Sequence, residues 1–293
     1  MVSTMIHTIQ NLLKKSNTGT ILFFLMNFGF LYLIYGSAGG VSGFLHLIFL
    51  YAFSLLLSFS PIGQWFLCQL NGAKRMARMD MRHKILPIAA EVYQKAKRKT
   101  PQLPNRINIR IMYDPNPNAF AIGTNTICVT EGLLELPEHQ IAGILAHEIG
   151  HLALQHTVIQ ILIGGGNLII SGIIVTLELC QYILQSISAV SMLRYRRSVS
   201  WVMSFLSIIS VGLVFGWTKL CMLFLMSSSR SNEFEADKYA FEIGYGEELA
   251  EALDLLTLGT PQASMLKLLC SSHPLPGDRV GALQRMGVPY SRY

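Results

Sequence analysis

The chain is 293 residues long, enough for one or two domains, and 51% of it is hydrophobic while only 14% is charged. Ordinary soluble domains carry roughly 25% charged residues, so the composition disfavours a soluble enzyme and points to a membrane protein. The net charge of +6 is not interleaved with aromatics, so it reads as cations flanking membrane segments and gives no reason to expect nucleic acid.

Residues 1–19 form a short head containing Lys14 and Lys15, and no charged residue then appears until Lys74. That gap suits two membrane helices: one from about Thr20 to Tyr35, a glycine-rich break at residues 36–43, and a second from about Phe44 to Ser60, stopped by Pro61. The first run is long for a cleaved signal peptide and a second follows at once, so an uncleaved anchor is expected. Lys14, Lys15, Lys74, Arg75, Arg78, Arg82 and Lys84 flank an uncharged hairpin loop, which places both ends in the cytoplasm. Trp65 reads as an interfacial anchor. Residues 85–99 suggest an amphipathic helix with a basic end, closed by Pro101 and Pro104. Residues 107–113 alternate as a half-buried strand does, and 114–118 (DPNPN) form a turn. Ala119 to Gly123 and Thr126 to Thr130 read as a hairpin around Thr124 and Asn125. An exposed edge on such a sheet can bind an extended peptide through main-chain hydrogen bonds.

After a short helical segment at 131–136, residues 141–155 (IAGILAHEIGHLALQ) contain H-E-x-x-H at 147–151. On a helix His147 and His151 share a face and can grip one zinc ion, with Glu148 beside them to take a proton from a zinc-bound water. The helix reading rests on apolar recurrence at Ile141, Ile144, Leu145, Ile149 and Leu152 without an internal proline. His156 falls off the ligand face and is read as structural.

Thr157 to Leu177 and then Ser198 to Trp217, continued to Met226, read as a third and a fourth span. The loop between them carries Arg194, Arg196 and Arg197, which opposes the positive-inside rule if both flanking segments are cytoplasmic. At 229–237 stands SRSNEFEAD. Glu233 and Asp237 are four apart, on one helical face. Glu233 can complete a His, His, Glu ligand set that leaves the fourth position to water, and Asp237 is placed to accept from the other ring nitrogen of a ligand histidine. The five cysteines are scattered, without a C-x-x-C pair, and suggest neither a disulfide nor a cysteine metal site.

The combined motifs, H-E-I-G-H at 147–151, S-R-S-N-E-F-E-A-D at 229–237, N-A-F-A at 118–121 and H-P at 273–274, resemble the HtpX family of membrane zinc metalloproteases, relatives of the CAAX prenyl proteases. The resemblance implies a mainly α, α+β gluzincin-like fold with four transmembrane helices. It divides the chain into a membrane hairpin (1–70), a first catalytic part (71–156), a second membrane pair (157–226) and a second catalytic part (227–293). It implies one zinc ion per chain on His147, His151 and Glu233, with Glu148 as general base and acid. It further implies a substrate-binding edge at Asn118, Ala119, Phe120 and Ala121, and His273 as a donor to the oxyanion or, alternatively, a turn residue. Arg230 becomes an electrostatic prop or a membrane-flank cation, beside Asp237 in the outer shell. The expected activity is cleavage of misfolded membrane proteins at the cell inner membrane, with the site facing the cytoplasm. The alternatives are a processing protease for a lipidated or prenylated protein, and a non-catalytic zinc-binding membrane scaffold.

Overall fold

The computed structural model describes residues 17–33, 39–159, 161, 229–258 and 275–290, with isolated positions at 176, 205, 212 and 216. Two apolar helices begin it, α1 (Thr18–Leu31) and α2 (Gly40–Phe59). They pack through an aromatic ladder, with Phe24 and Phe28 edge-on to Tyr51 and Tyr32 edge-on to Phe44, at centroid separations of 5.4, 6.2 and 5.7 Å. Edge-to-face packing of this kind adds stabilisation beyond buried area. Among the described residues α2 alone, with 20 residues, is long and apolar enough to cross a bilayer; α1 has 14. Of the four expected spans, the third and fourth fall on 157–226, which lies almost wholly outside the described residues, and the first is described only to residue 33.

Pro61 does more than stop the second apolar helix. It opens a new one, α3 (Pro61–Leu70), with the Gly63 amide donating to Ser60 Oγ at 3.1 Å as the N-terminal cap. Proline at the first helical position gives up only an amide that would lack a helical partner. Trp65 is exposed on this helix. Gln64 ties α3 to the catalytic part: its amide nitrogen donates to the Ser58 carbonyl at 2.9 Å, and its Oε1 accepts from the Thr124 amide at 3.0 Å.

The expected amphipathic helix is α4 (Met79–Lys99), longer at its start than the sequence suggests, with Pro87 inside it. It buries Met81, Ile85, Ala89, Val92 and Ala96, a stripe at three- and four-residue spacing. The sheet has four strands, β1 (Lys74–Arg75), β2 (Asn108–Met112), β3 (Ala119–Ile122) and β4 (Thr126–Thr130), in the order β1-β2-β4-β3. β3 and β4 form the expected antiparallel hairpin, turned at Gly123 with φ +65°. β2 instead pairs parallel to β4, from Asn108 against Thr126 to Met112 against Thr130. That arrangement leaves β3 at an edge.

A 3₁₀ turn (Gly132–Glu135) leads into α5 (Glu138–Ala153). Beyond its first turn every residue except His151 is buried. Such a helix is a core element. Residues 229–242 form α6, followed by α7 (Gly246–Leu258) and α8 (Pro276–Arg285). One apolar core, including Val92, Ile111, Ile127, Leu145, Ile149, Leu249 and Leu283, joins α4, the sheet, α5, α7 and α8.

Candidate metal centre and catalytic site

α5 and α6 meet through small residues. A side chain on Gly150 would come within 3.2 to 3.3 Å of Ala236 O, Ala236 Cα and Tyr239 Cβ, so the two backbones are nearly in contact. This closeness lets the short reach of a glutamate on α6 meet two histidines on α5. His147 Nε2 and His151 Nε2 are 3.1 Å apart; Glu233 Oε2 is 3.5 Å from the former and Glu233 Oε1 is 3.4 Å from the latter. Zinc bonds of about 2.0–2.1 Å in a tetrahedron place ligand atoms about 3.3 Å from one another, so the spacing fits that ion. Donor chemistry agrees: two imidazoles and a carboxylate are the set an open, catalytic zinc site uses.

The residues behind the ligands fix their orientation. Asp237, with no exposed surface, accepts from His147 Nδ1 at 2.8 Å, which leaves Nε2 as the ring's metal-facing atom. Arg279, from α8, donates to the same carboxylate through Nε at 2.8 Å and Nη2 at 2.6 Å, and its Nη1 lies 3.2 Å from Glu233 Oε2. Arg279 Nη2 also lies 3.2 Å from His147 Nδ1. Both nitrogens are donors to Asp237 Oδ1, so this proximity reflects a shared acceptor and not a bond between them. Burial and the Arg279 charge lower the His147 pKa, but hydrogen bonds to Asp237 and Glu233 outweigh them, and it stands raised at about 9. The pocket favours positive charge where the two Nε2 atoms converge. Burial would raise the Asp237 pKa; the Arg279 fork outweighs it and holds the carboxyl below its usual range.

The geometry gives His156 a structural role. Gln155 takes φ 62° and turns the chain at the end of α5, so His156 Nδ1 comes within 3.0 Å of His151 Nδ1 while its Nε2 lies 3.5 Å from Glu235 Oε2. It therefore braces a ligand histidine. α5 ends before it, so that helix's phase does not set its position.

Glu148 is buried and accepts from the Ala121 amide at 2.8 Å, with its Oε1 3.9 Å from His147 Nε2. The Asn118 main chain is used within the hairpin: the Thr130 amide donates to its carbonyl at 2.9 Å, and its own amide donates to Thr130 Oγ1 at 2.7 Å. Strand alternation then turns the Ala119 and Ala121 main chain to the free edge and that of Phe120 toward β4. A cavity of about 760 Å³ runs from Glu148, His151 and Glu233 along β3 to Leu57 on α2 and Phe66 on α3. Arg230 sits half-buried in the first turn of α6 and has no hydrogen-bond or ion-pair partner among the described residues. Arg279 holds the place beside the ligands, and neither motif announced it. His273 lies outside the described residues.

A buried helix carrying H-E-x-x-H, a glutamate from a second helix and an edge strand along the cleft together define a metallopeptidase. Residues 81–287 match the model of peptidase family M48. The chain belongs to that family, among the HtpX proteases, and is a membrane metallopeptidase that hydrolyses peptide bonds. It is 34% identical over 153 residues to a protease HtpX homolog of Halobacterium salinarum, a match covering 50% of this chain and 47% of the relative. A protease HtpX homolog of Campylobacter concisus is 30% identical over 232 residues, covering 70% of this chain and 74% of the relative. Among solved structures, the crystal structure of S. mikatae Ste24p has a TM-score of 0.51 at 18% identity, covering 96% of this chain and 66% of that one. This likeness is one of fold.

Proposed function

We propose that the chain is a zinc endopeptidase of the inner membrane, its site open to the cytoplasm, that degrades misfolded membrane proteins. The observation that carries the reading is the triangle of His147, His151 and Glu233, with edges of 3.1 to 3.5 Å and Glu148 alongside. Zinc held there supplies Lewis acidity, lowering the pKa of a water and polarising the scissile carbonyl. Glu148 takes the proton of the attacking water on a carboxylate oxygen and returns it to the leaving amine. The substrate lies extended along β3, bonded to the main chain of Ala119 and to the Ala121 carbonyl with the Asn118 side chain beside it. Main-chain recognition of this kind ignores sequence, as a protease for damaged proteins requires. His273 donates to the developing oxyanion. The catalytic parts, 71–156 and 227–293, are each preceded by membrane segments, 1–70 and 157–226. The cavity's approach to Leu57 and Phe66 supports delivery of substrate from the bilayer side.

The test is purification in detergent, zinc quantification, and casein digestion with and without chelator, repeated for Glu148→Gln. The variant should retain zinc and lose about 10²- to 10⁴-fold in turnover. Undiminished cleavage by the variant would remove Glu148 from its role. Cleavage confined to one lipidated peptide would make the chain a processing protease, and bound zinc without hydrolysis would make it a scaffold.

A further inference from the structure

Arg279 is a buried cation next to a site built for another cation, an unfavourable placement unless its geometry is needed. Charge makes the placement tolerable. Glu148, Glu233 and Asp237 are three carboxylates around one guanidinium, and a divalent ion would bring the sum to balance. Geometry supplies the reason for it. A guanidinium is planar, with five donors at fixed angles, so one side chain can hold two carboxylates at a set separation. Here Nε and Nη2 grip Asp237 at 2.8 and 2.6 Å while Nη1 reaches Glu233 Oε2 at 3.2 Å. Asp237 in turn holds His147 Nδ1 at 2.8 Å. One residue on α8 thus touches both Asp237, the support of His147, and the ligand Glu233 itself.

We propose that Arg279 is a positioning residue for the metal ligands: it holds Asp237 against His147 so that Nε2 is left as the ring's ligand atom, and its charge beside Glu233 keeps that carboxylate at the site. The inference rests on the zinc reading above. α8 thereby becomes part of the site, although no residue on it is a ligand.

The experiment uses the full chain in detergent, stripped of metal, as wild type, R279K and R279A. Zinc affinity is measured by competition with a chromophoric chelator, and the visible absorption of the cobalt(II)-loaded protein reports coordination number. R279K keeps the charge but lacks the fork, so both variants should bind zinc about 10- to 100-fold more weakly. Both should also show an altered cobalt band, as the His147 ring and the Glu233 carboxylate lose their fixed placement. Folded variants that bind zinc within about twofold of wild type, with an unchanged cobalt spectrum, would overturn the proposal and leave Arg279 a docking contact for α8. Where R279A does not fold, R279K decides by the same two readouts. A wild-type chain that takes up no zinc overturns the underlying zinc reading as well, which separates the two failures.

Discussion

Replacing Gly143 by alanine tests the helix packing on which the site depends. Gly143 lies one turn before His147 on α5, against α7. An added Cβ would stand 2.5 Å from Leu249 N, 2.6 Å from Glu248 C and 2.9 Å from Glu248 O. Carbon contacts normally settle at about 3.5–4.0 Å, so the helices must separate by roughly 1 Å. Alanine is favoured over glycine inside a helix by about 1 kcal/mol. Overpacking typically costs about 1–3 kcal/mol, and here the obstacle is backbone, which cannot swing aside as a side chain can. The upper part of that range applies, and the net effect is a loss of about 1–2 kcal/mol. For a fold of this size that lowers the thermal midpoint by about 2–8 °C. Thermal unfolding in detergent, with Gly150→Ala as comparison, is the assay. At Gly150 the nearest atoms lie at 3.2 to 3.3 Å and need yield only a few tenths of an ångström, so that variant should be the milder of the two. A G143A protein as stable as wild type would refute the close α5–α7 contact.

Glu233→Ala should abolish stoichiometric zinc and peptide cleavage together; metal analysis that finds full occupancy would remove Glu233 from the ligand set. His156→Ala should weaken zinc binding about 10- to 100-fold through the loosened His151 ring, without abolishing it, and chelator competition separates this from loss of a ligand. Burial pushes the Cys128 thiol up to about 12. An unfolded thiol ionises near 8.5, so above that pH the unfolded chain releases a proton that the folded chain keeps, and stability falls as pH rises from about 8.5 toward 12. Native Cys128 should therefore resist iodoacetamide at pH 9 until denaturant is added, as peptide mapping would reveal.

Local pattern was enough for the elements that bear the chemistry. Four-residue spacing put His147 beside His151 and Glu233 beside Asp237, and turn chemistry marked the β3–β4 hairpin, because each depends on neighbours within one or two turns of chain. The same logic did not reach the His156 contact, where a single residue, Gln155 at φ 62°, ends the helical phase and swings the next side chain back onto His151. It marked Pro61 as the end of the second apolar run, which it is, without showing that the chain also begins α3 there. Arg279 lay in no motif and follows Asp237 by 42 positions; its importance appears only when α8 packs on α7 and presents it to α6. The parallel pairing of β2 with β4 was equally invisible. Sequence alone determined which side chains could share a helix face, since that is a matter of a fixed rise and rotation per residue. The tertiary structure decided which charges meet and which strands pair across long separations, since those choices depend on burying apolar surface and neutralising buried charge in the folded whole, and leave no period in the chain.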